Sequence, residues 1–233
     1  MATHLTKRKK EASKLYEKNK VYTLDEAINI LKKTPKPKFD ETLEVALDLG
    51  LNPKDASQIV RGTTMLPHGT GKSVRVAVFC KGDDEQKAKD AGADFIGSDE
   101  LIKKVQGGFC DFDVAIASTS MMKDIARLGK VLGPRGLMPN PKVGTITNDI
   151  AKTVKETKAG KVEFKMDKQA GIHVSVGKIS FDKEKLLENA RHLIKAILGS
   201  NQHLNKPQAV KSIAVCTTMG PGIMLDISEF RDN

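Results

Sequence analysis

The apolar pattern changes period twice along the chain, and this limits the fold more than any other feature. Leu43, Val45, Leu47 and Leu49 alternate with Glu44, Ala46 and Asp48. Period-two alternation marks a strand with one buried and one wet face, the habit of antiparallel sheets. From Val74 to Cys80 the alternation is gone, and the run is apolar apart from Arg75. Similar short runs follow at Ala93–Ile96 and Val114–Ala117, separated by helical stretches at Asp84–Asp90 and Asp99–Val105. Strands without polar alternation, interleaved with helices, predict a small parallel sheet covered on both faces. Alternation then returns at Val162, Phe164 and Met166, and at Ile172, Val174 and Val176.

The economical parse is an insertion, with α/β and α+β character combined. Residues 1–67 and 160–233 form an outer α+β domain, and residues 68–159 form an inserted, Rossmann-like βα domain. In the outer part, Thr6–Lys20 is predicted as a basic helix with Ala12, Leu15 and Tyr16 on one side. Thr23-Leu-Asp-Glu26 is a capping box opening a helix through Lys33, with Leu24, Ala27, Ile28 and Leu31 inward. A second strand is expected over Ile59–Leu66. Asp182 is read as the cap of a long helix ended by Gly199, and strands are expected at Val210–Thr217 and Ile223–Ile227. In the insert, Met121–Leu132 reads as a helix, as does Asn148–Thr157 with Gly160 as its C-cap.

The helix ending at Leu132 runs into Gly133-Pro-Arg-Gly-Leu-Met-Pro-Asn-Pro-Lys-Val-Gly-Thr145. Its prolines fix φ and remove backbone donors, and Gly133, Gly136 and Gly144 allow positive φ. This is a stiff, shaped loop carrying Arg135 and Lys142, and such loops are more often functional than filler.

Charge narrows the partner. The net charge is +10 over 233 residues, which favours a polyanion or an anionic surface. The insert holds 15 Lys and Arg against 12 Asp and Glu, and the outer segments hold 24 against 17. The stronger pull on a polyanion therefore lies in the outer domain. No apolar run approaches the roughly 20 residues of a membrane span, and no secretory signal is evident, so a cytoplasmic protein is expected. Cys80, Cys110 and Cys216 are odd in number and widely spaced, which suggests neither disulfides nor a zinc site, and Cys80 and Cys216, in apolar strand-like runs, are read as buried thiols.

Catalysis finds no support. Gly69-Thr-Gly-Lys-Ser73 resembles the tail of a phosphate-binding loop, but Leu66 stands where its first glycine belongs and the strand follows instead of preceding. A basic turn is the better reading. The five histidines show no ligand spacing.

Signals for nucleic acid are better. Lys7-Arg-Lys-Lys10 is a basic run, equally compatible with a solvated helix face. In Lys36-Pro-Lys-Phe-Asp-Glu-Thr42, Phe39 lies beside cations in a proline-bounded loop. It can stack on unpaired bases or fold back onto the core. Thr217-Thr-Met-Gly-Pro-Gly222 offers hydroxyls, an apolar side chain and glycines that admit a close backbone, which suits a shaped RNA site. A plain hairpin loop is the alternative.

These segments also carry a resemblance. Leu132–Pro141, Lys38–Thr42 and Thr217–Pro221, with Val60–Thr63, Leu66–Gly69, Asp111–Asp113, Lys158–Gly160 and Val176–Lys178, resemble in order the family of bacterial large-subunit ribosomal protein number one. That is the protein of the mobile stalk beside the tRNA exit site. The resemblance implies a two-domain fold with an insertion and binding to large-subunit rRNA. It further implies help in releasing deacylated tRNA from the exit site, and repression of translation through the protein's own mRNA. The protein would be ribosome-associated, and a monomer when free. It implies no enzyme activity, cofactor, metal or membrane partner. Carried onto matching positions, it points to Lys38, Phe39, Thr42, Ser212, Thr218, Met219 and Gly220 for rRNA, with Lys168, His173 and Lys178 ranked lower. Arg135 and Lys142 are candidates for a second RNA contact. Cys216 departs from the family pattern, where a hydroxyl residue is common. The rival readings are a nucleotide-using enzyme in the insert and a cationic chaperone or membrane-surface protein.

Overall fold

The computed structural model describes residues 6–18, 20–35, 37–55, 57–205 and 209–230. Two compact units divide the chain, residues 1–71 with 162–233 and residues 72–161. The chain opens with α1 (Lys7–Ala12), α2 (Leu24–Lys33), β1 (Thr42–Leu49) and β2 (Arg61–Met65). It continues with β3 (Val76–Phe79), α3 (Asp83–Asp90), β4 (Phe95–Gly97), α4 (Asp99–Gln106), β5 (Val114–Ala117), α5 (Met122–Ile125), α6 (Gly129–Leu132) and α7 (Ile150–Ala159). It closes with β6 (Lys161–Lys165), β7 (Gly171–Lys178), α8 (Lys183–Gly199), β8 (Val210–Thr217) and β9 (Ile223–Leu225). The mixed α/β and α+β architecture matches the expectation from patterning.

The first unit is built on a four-stranded sheet in the order β7-β1-β8-β9. Every pairing in it is antiparallel. Alternation decides its faces. Leu43, Val45, Leu47 and Leu49 are at most 1% exposed and pack with Ile172, Val174, Ile213 and Val215 beneath α2 and α8. Helix α2 forms as its capping box predicts: Thr23 accepts from the Glu26 N–H, and Glu26 accepts from the Thr23 N–H. Its Leu24, Ala27, Ile28 and Leu31 are buried, each large one contributing roughly 1.5–3 kcal/mol.

In the second unit the sheet runs β4-β3-β5 and is parallel. One face packs Val76, Val78 and Ile116 against Ala88 of α3 and Ile150 and Val154 of α7. The other packs Phe79 and Ala117 against Leu101 and Val105 of α4 and Ile125 and Leu132. Helices thus cover both faces, as the unbroken apolar runs require.

Several local expectations are corrected. The first helix stops at Ala12, not Lys20 (Asn19 lies outside the described residues). Ser13 turns the chain there by bonding Lys10 O at 2.9 Å, and Leu15 is left 41% exposed. Met121–Leu132 is not one helix. Met121, Ile125, Leu128 and Leu132 keep an inward stripe, but 3₁₀ turns at Thr119–Met121 and Ala126–Leu128 break it into two short α turns. Asp182 does not cap α8 with its side chain; it pairs with Lys185 at 3.0 Å, which holds its carboxyl below the usual range. The last strand ends at Leu225.

The turn at residues 67–71 is held from inside. Asn189 is fully buried, accepts from the His68 N–H at 3.1 Å, and donates to Gly69 O at 2.9 Å and Val176 O at 3.1 Å. Gly71 has φ +70, and a Cβ there would meet the Phe181 ring at 2.8 Å. The glycines of Gly69-Thr-Gly-Lys-Ser73 thus have structural work in a turn tied to α8 and β7. In the loop after α6, Gly133 is needed for space rather than positive φ: its φ is −58, and a Cβ would lie 2.5 Å from Gly129 O. Asn140 caps the 3₁₀ turn Pro141–Val143 by accepting from the Lys142 N–H at 2.8 Å, and its own N–H donates to Thr145 Oγ1 at 2.8 Å.

Candidate nucleic-acid interface

The sheet order places two distant segments side by side. β1 and β8 are antiparallel, and Leu43 stands opposite Thr217. The segment entering β1 and the turn leaving β8 therefore meet at one end of the sheet. Three hydrogen bonds tie them together, and a fourth closes the turn. The Thr42 N–H donates to Thr218 Oγ1 at 3.0 Å, and the Thr218 N–H donates to Thr42 O at 3.1 Å. The Met219 N–H donates to Glu41 Oε1 at 2.8 Å, and the Gly220 N–H closes the turn on Thr217 O at 3.0 Å. Glu41 is only 3% exposed.

This clamp leaves apolar side chains outside. Phe39 and Met219 are each 51% exposed, so Phe39 takes the exposed of its two alternatives. Lys38 is exposed beside it, while Lys36 lies outside the described residues. Lys178 pairs with Thr42 across the sheet, and one of its three ammonium donors binds Asp40 O at 3.1 Å. Gly220 is forced: a Cβ would stand 2.2 Å from Thr217 Oγ1. That hydroxyl is itself buried with no partner among the described residues.

Ser212, Lys168 and His173 do not join this cluster. Ser212 pairs with Asp48 at the far end of β1, His173 with Ala46 at mid-strand, and Lys168 lies in the β6–β7 turn. Ser212 and His173 belong to the face of the sheet turned away from α2 and α8. Ala46, Ala214, Ser175 and Cys216 occupy its middle. Around Ser212, His173 and Lys211 lies a shallow depression of about 380 Å³ that also includes Asp48 and Asp167. The Gly171 and Gln169 N–H groups hold the Asp167 carboxyl below its usual range. This face mixes small residues with Glu44, Asp48 and the exposed Met224, and it is not strongly cationic. It suits base edges and riboses more than a row of phosphates.

Cys216 sits on that face half-buried, so the expectation of a core thiol is corrected. Desolvation and then Glu44 push its thiol up. Cys80 is fully buried, and desolvation raises it to about 11. In the second unit, Arg135 and Lys142 are both exposed on the Pro/Gly loop.

Comparison with known proteins covers both clusters. The model of the family described as ribosomal protein L1p/L10e matches residues 31–221. The chain belongs to the ribosomal protein L1p/L10e family. As a member it is a ribosomal protein and not an enzyme. A large ribosomal subunit protein uL1 from Solidesulfovibrio magneticus is 52% identical over 231 residues, covering 99% of this chain and 98% of the relative. A large ribosomal subunit protein uL1 from Protochlamydia amoebophila is 50% identical over 224 residues, covering 96% and 95%. The family match begins after α1, so it does not include the N-terminal basic run.

One residue at the site escapes the reading of the sequence, which leaves a second open. Glu41 looked like one acid in a mixed-charge segment, and only the β1–β8 register shows its carboxylate under the Met219 turn. Arg8 belongs to the Lys7–Lys10 run, for which the sequence leaves an RNA contact and a solvated helix face equally open; it is half-buried, and its guanidinium points to Met219 O at 3.5 Å.

Proposed function

We propose that this protein works on the large ribosomal subunit, binding the rRNA of the mobile stalk through the first unit. The observation that carries the reading is the clamp joining Glu41 and Thr42 to Thr218 and Met219. It presents Phe39, Met219 and an exposed Lys38 from one rigid sheet end. Preordered apolar and hydroxyl groups suit an unstacked or closely packed RNA strand, whose bases and 2′-hydroxyls are accessible. The names of both relatives, and the excess of cations in residues 1–67 and 160–233, support the same reading. Ser212, His173 and Lys168 extend the contact along the open sheet face.

The same surface serves the protein's own mRNA, because shape-readers accept any RNA that presents the same local geometry. Translational repression follows from that competition. Release of deacylated tRNA from the exit site is assigned to the stalk as a whole, with Arg135 and Lys142 of the second unit as its cationic contact. The protein is cytoplasmic through its place on the ribosome.

The test is the affinity of Met219→Ala and Phe39→Ala for a stalk rRNA fragment. Each should weaken binding by about 1–3 kcal/mol, the range for a lost base-facing contact, with the melting temperature unchanged. Wild-type affinity in both would remove the site assignment.

A further inference from the structure

The N-terminal basic run has a place in the fold that its sequence does not announce. Along α1 and the turn after it, Arg8, Ala12 and Tyr16 recur every four residues and face inward, while Lys7, Lys9, Lys10 and Lys14 are exposed. Ala12 is 8% exposed, and Tyr16 packs on the edge of the main core. This seats α1 beside the turn leaving β8, where Arg8 reaches Met219 O. Between them is a cavity of about 280 Å³, lined by Arg8, Lys9, Lys18 and Tyr16 and by Met219 and Pro221. None of the three cations pairs with an acid among the described residues.

We infer that this cavity is a phosphodiester site that seats one nucleotide of the bound RNA strand. The volume lies just under the roughly 300–1,000 Å³ of ligand pockets, enough for a single nucleotide unit and no stacked run. Three lining cations without an acidic partner among the described residues match the phosphate. Tyr16, Pro221 and the Met219 side chain give apolar surface for ribose or base. The cavity shares Met219 with the proposed rRNA site, so the strand passing Phe39 and Met219 continues into it. The inference rests on the RNA-binding reading above and adds a third segment to it, N-terminal to the residues 31–221 that the family model matches.

The test compares two triple variants of the full chain on the stalk rRNA fragment across a salt series. One is Arg8→Ala, Lys9→Ala, Lys18→Ala. The other removes equal charge from cations that do not line the cavity: Lys7→Ala, Lys10→Ala, Lys14→Ala. The cavity triple should bind at least about tenfold more weakly at physiological salt. Its log K against log salt slope should fall by about 0.7, the value for one neutralised phosphate on a single strand. The control triple should lose less than about threefold. Melting temperatures should match wild type in both. Equal losses in the two triples would overturn the cavity, leaving only diffuse attraction. A wild-type protein that fails to prefer the stalk fragment over unrelated RNA of equal length would overturn the RNA-binding reading itself.

Discussion

Glu41 offers the sharpest test of how the sheet end is held. Its buried carboxylate accepts the Met219 N–H at 2.8 Å, a hydrogen bond to a charged acceptor worth about 1.5–3 kcal/mol. The remaining bonds of the turn are neutral, to Thr42 and Thr217, and worth about 0.5–1.5 kcal/mol each. Glu41→Ala therefore removes the strongest single tie and leaves the Met219 N–H without its acceptor. Stability should fall by about 1.5–3 kcal/mol, read as a shift of the urea midpoint at constant slope. Because Met219 then loses its fixed position, affinity for the stalk rRNA fragment should fall about tenfold, although Glu41 itself is too buried to touch RNA. Glu41→Gln keeps an acceptor oxygen in place and should recover most of the RNA affinity. Wild-type binding by Glu41→Ala, or equal binding by the Ala and Gln variants, would refute the positioning role.

Three further outcomes are expected. Asn189→Ala deletes three hydrogen bonds of a buried side chain and should destabilise by about 3 kcal/mol in urea unfolding; a change under about 0.5 kcal/mol would contradict the account of the 67–71 turn. The Val76 N–H lowers the Asp94 carboxyl pKa, with Lys158 adding to it, and the Arg75 N–H and side chain lower that of Asp113. Depressed folded-state values stabilise above the unfolded pKa of about 3.9, and this stability is lost as pH falls through the folded values. Asp94→Asn should therefore lower the melting temperature at about pH 6, and the loss should shrink as pH falls below about 3.9; a loss that stays constant with falling pH would sink the linkage. Neutralising Arg135 and Lys142 together should leave rRNA-fragment binding within about twofold while weakening tRNA binding to ribosomes; a collapse of rRNA binding would move the Pro/Gly loop into the main site.

What was legible in the sequence is what short-range chemistry decides. The Thr23–Glu26 box, the Gly160 cap and the Leu43–Leu49 alternation each involve residues within a few positions, so their outcomes follow from local hydrogen bonding and periodicity. The change from alternating to unbroken apolar strands likewise separated a one-sided antiparallel sheet from a two-sided parallel one. Local signals failed where distant residues compete. Thr6–Lys20 carries a helical pattern, yet Ser13 turns the chain and Tyr16 packs on the core. Met121–Leu132 keeps its buried stripe while packing against the parallel sheet tightens its turns.

The candidate site divides in the same way. Phe39 and Met219 stood out in the sequence as apolar residues in polar, glycine- or proline-marked loops, and the residue types there already suited RNA. Their meeting did not show, because 180 positions separate them and only the register of β1 on β8 brings them to one sheet end. Register also places Ser212 and His173 elsewhere along the open face and puts the Glu41 carboxylate under the Met219 turn, while the packing of Ala12 and Tyr16 seats Arg8 at the cavity beside it. A sequence specifies which side chains are available and how each short segment bends. Which of them face one another depends on strand pairing between segments far apart in the chain, and that is a property of the folded core as a whole.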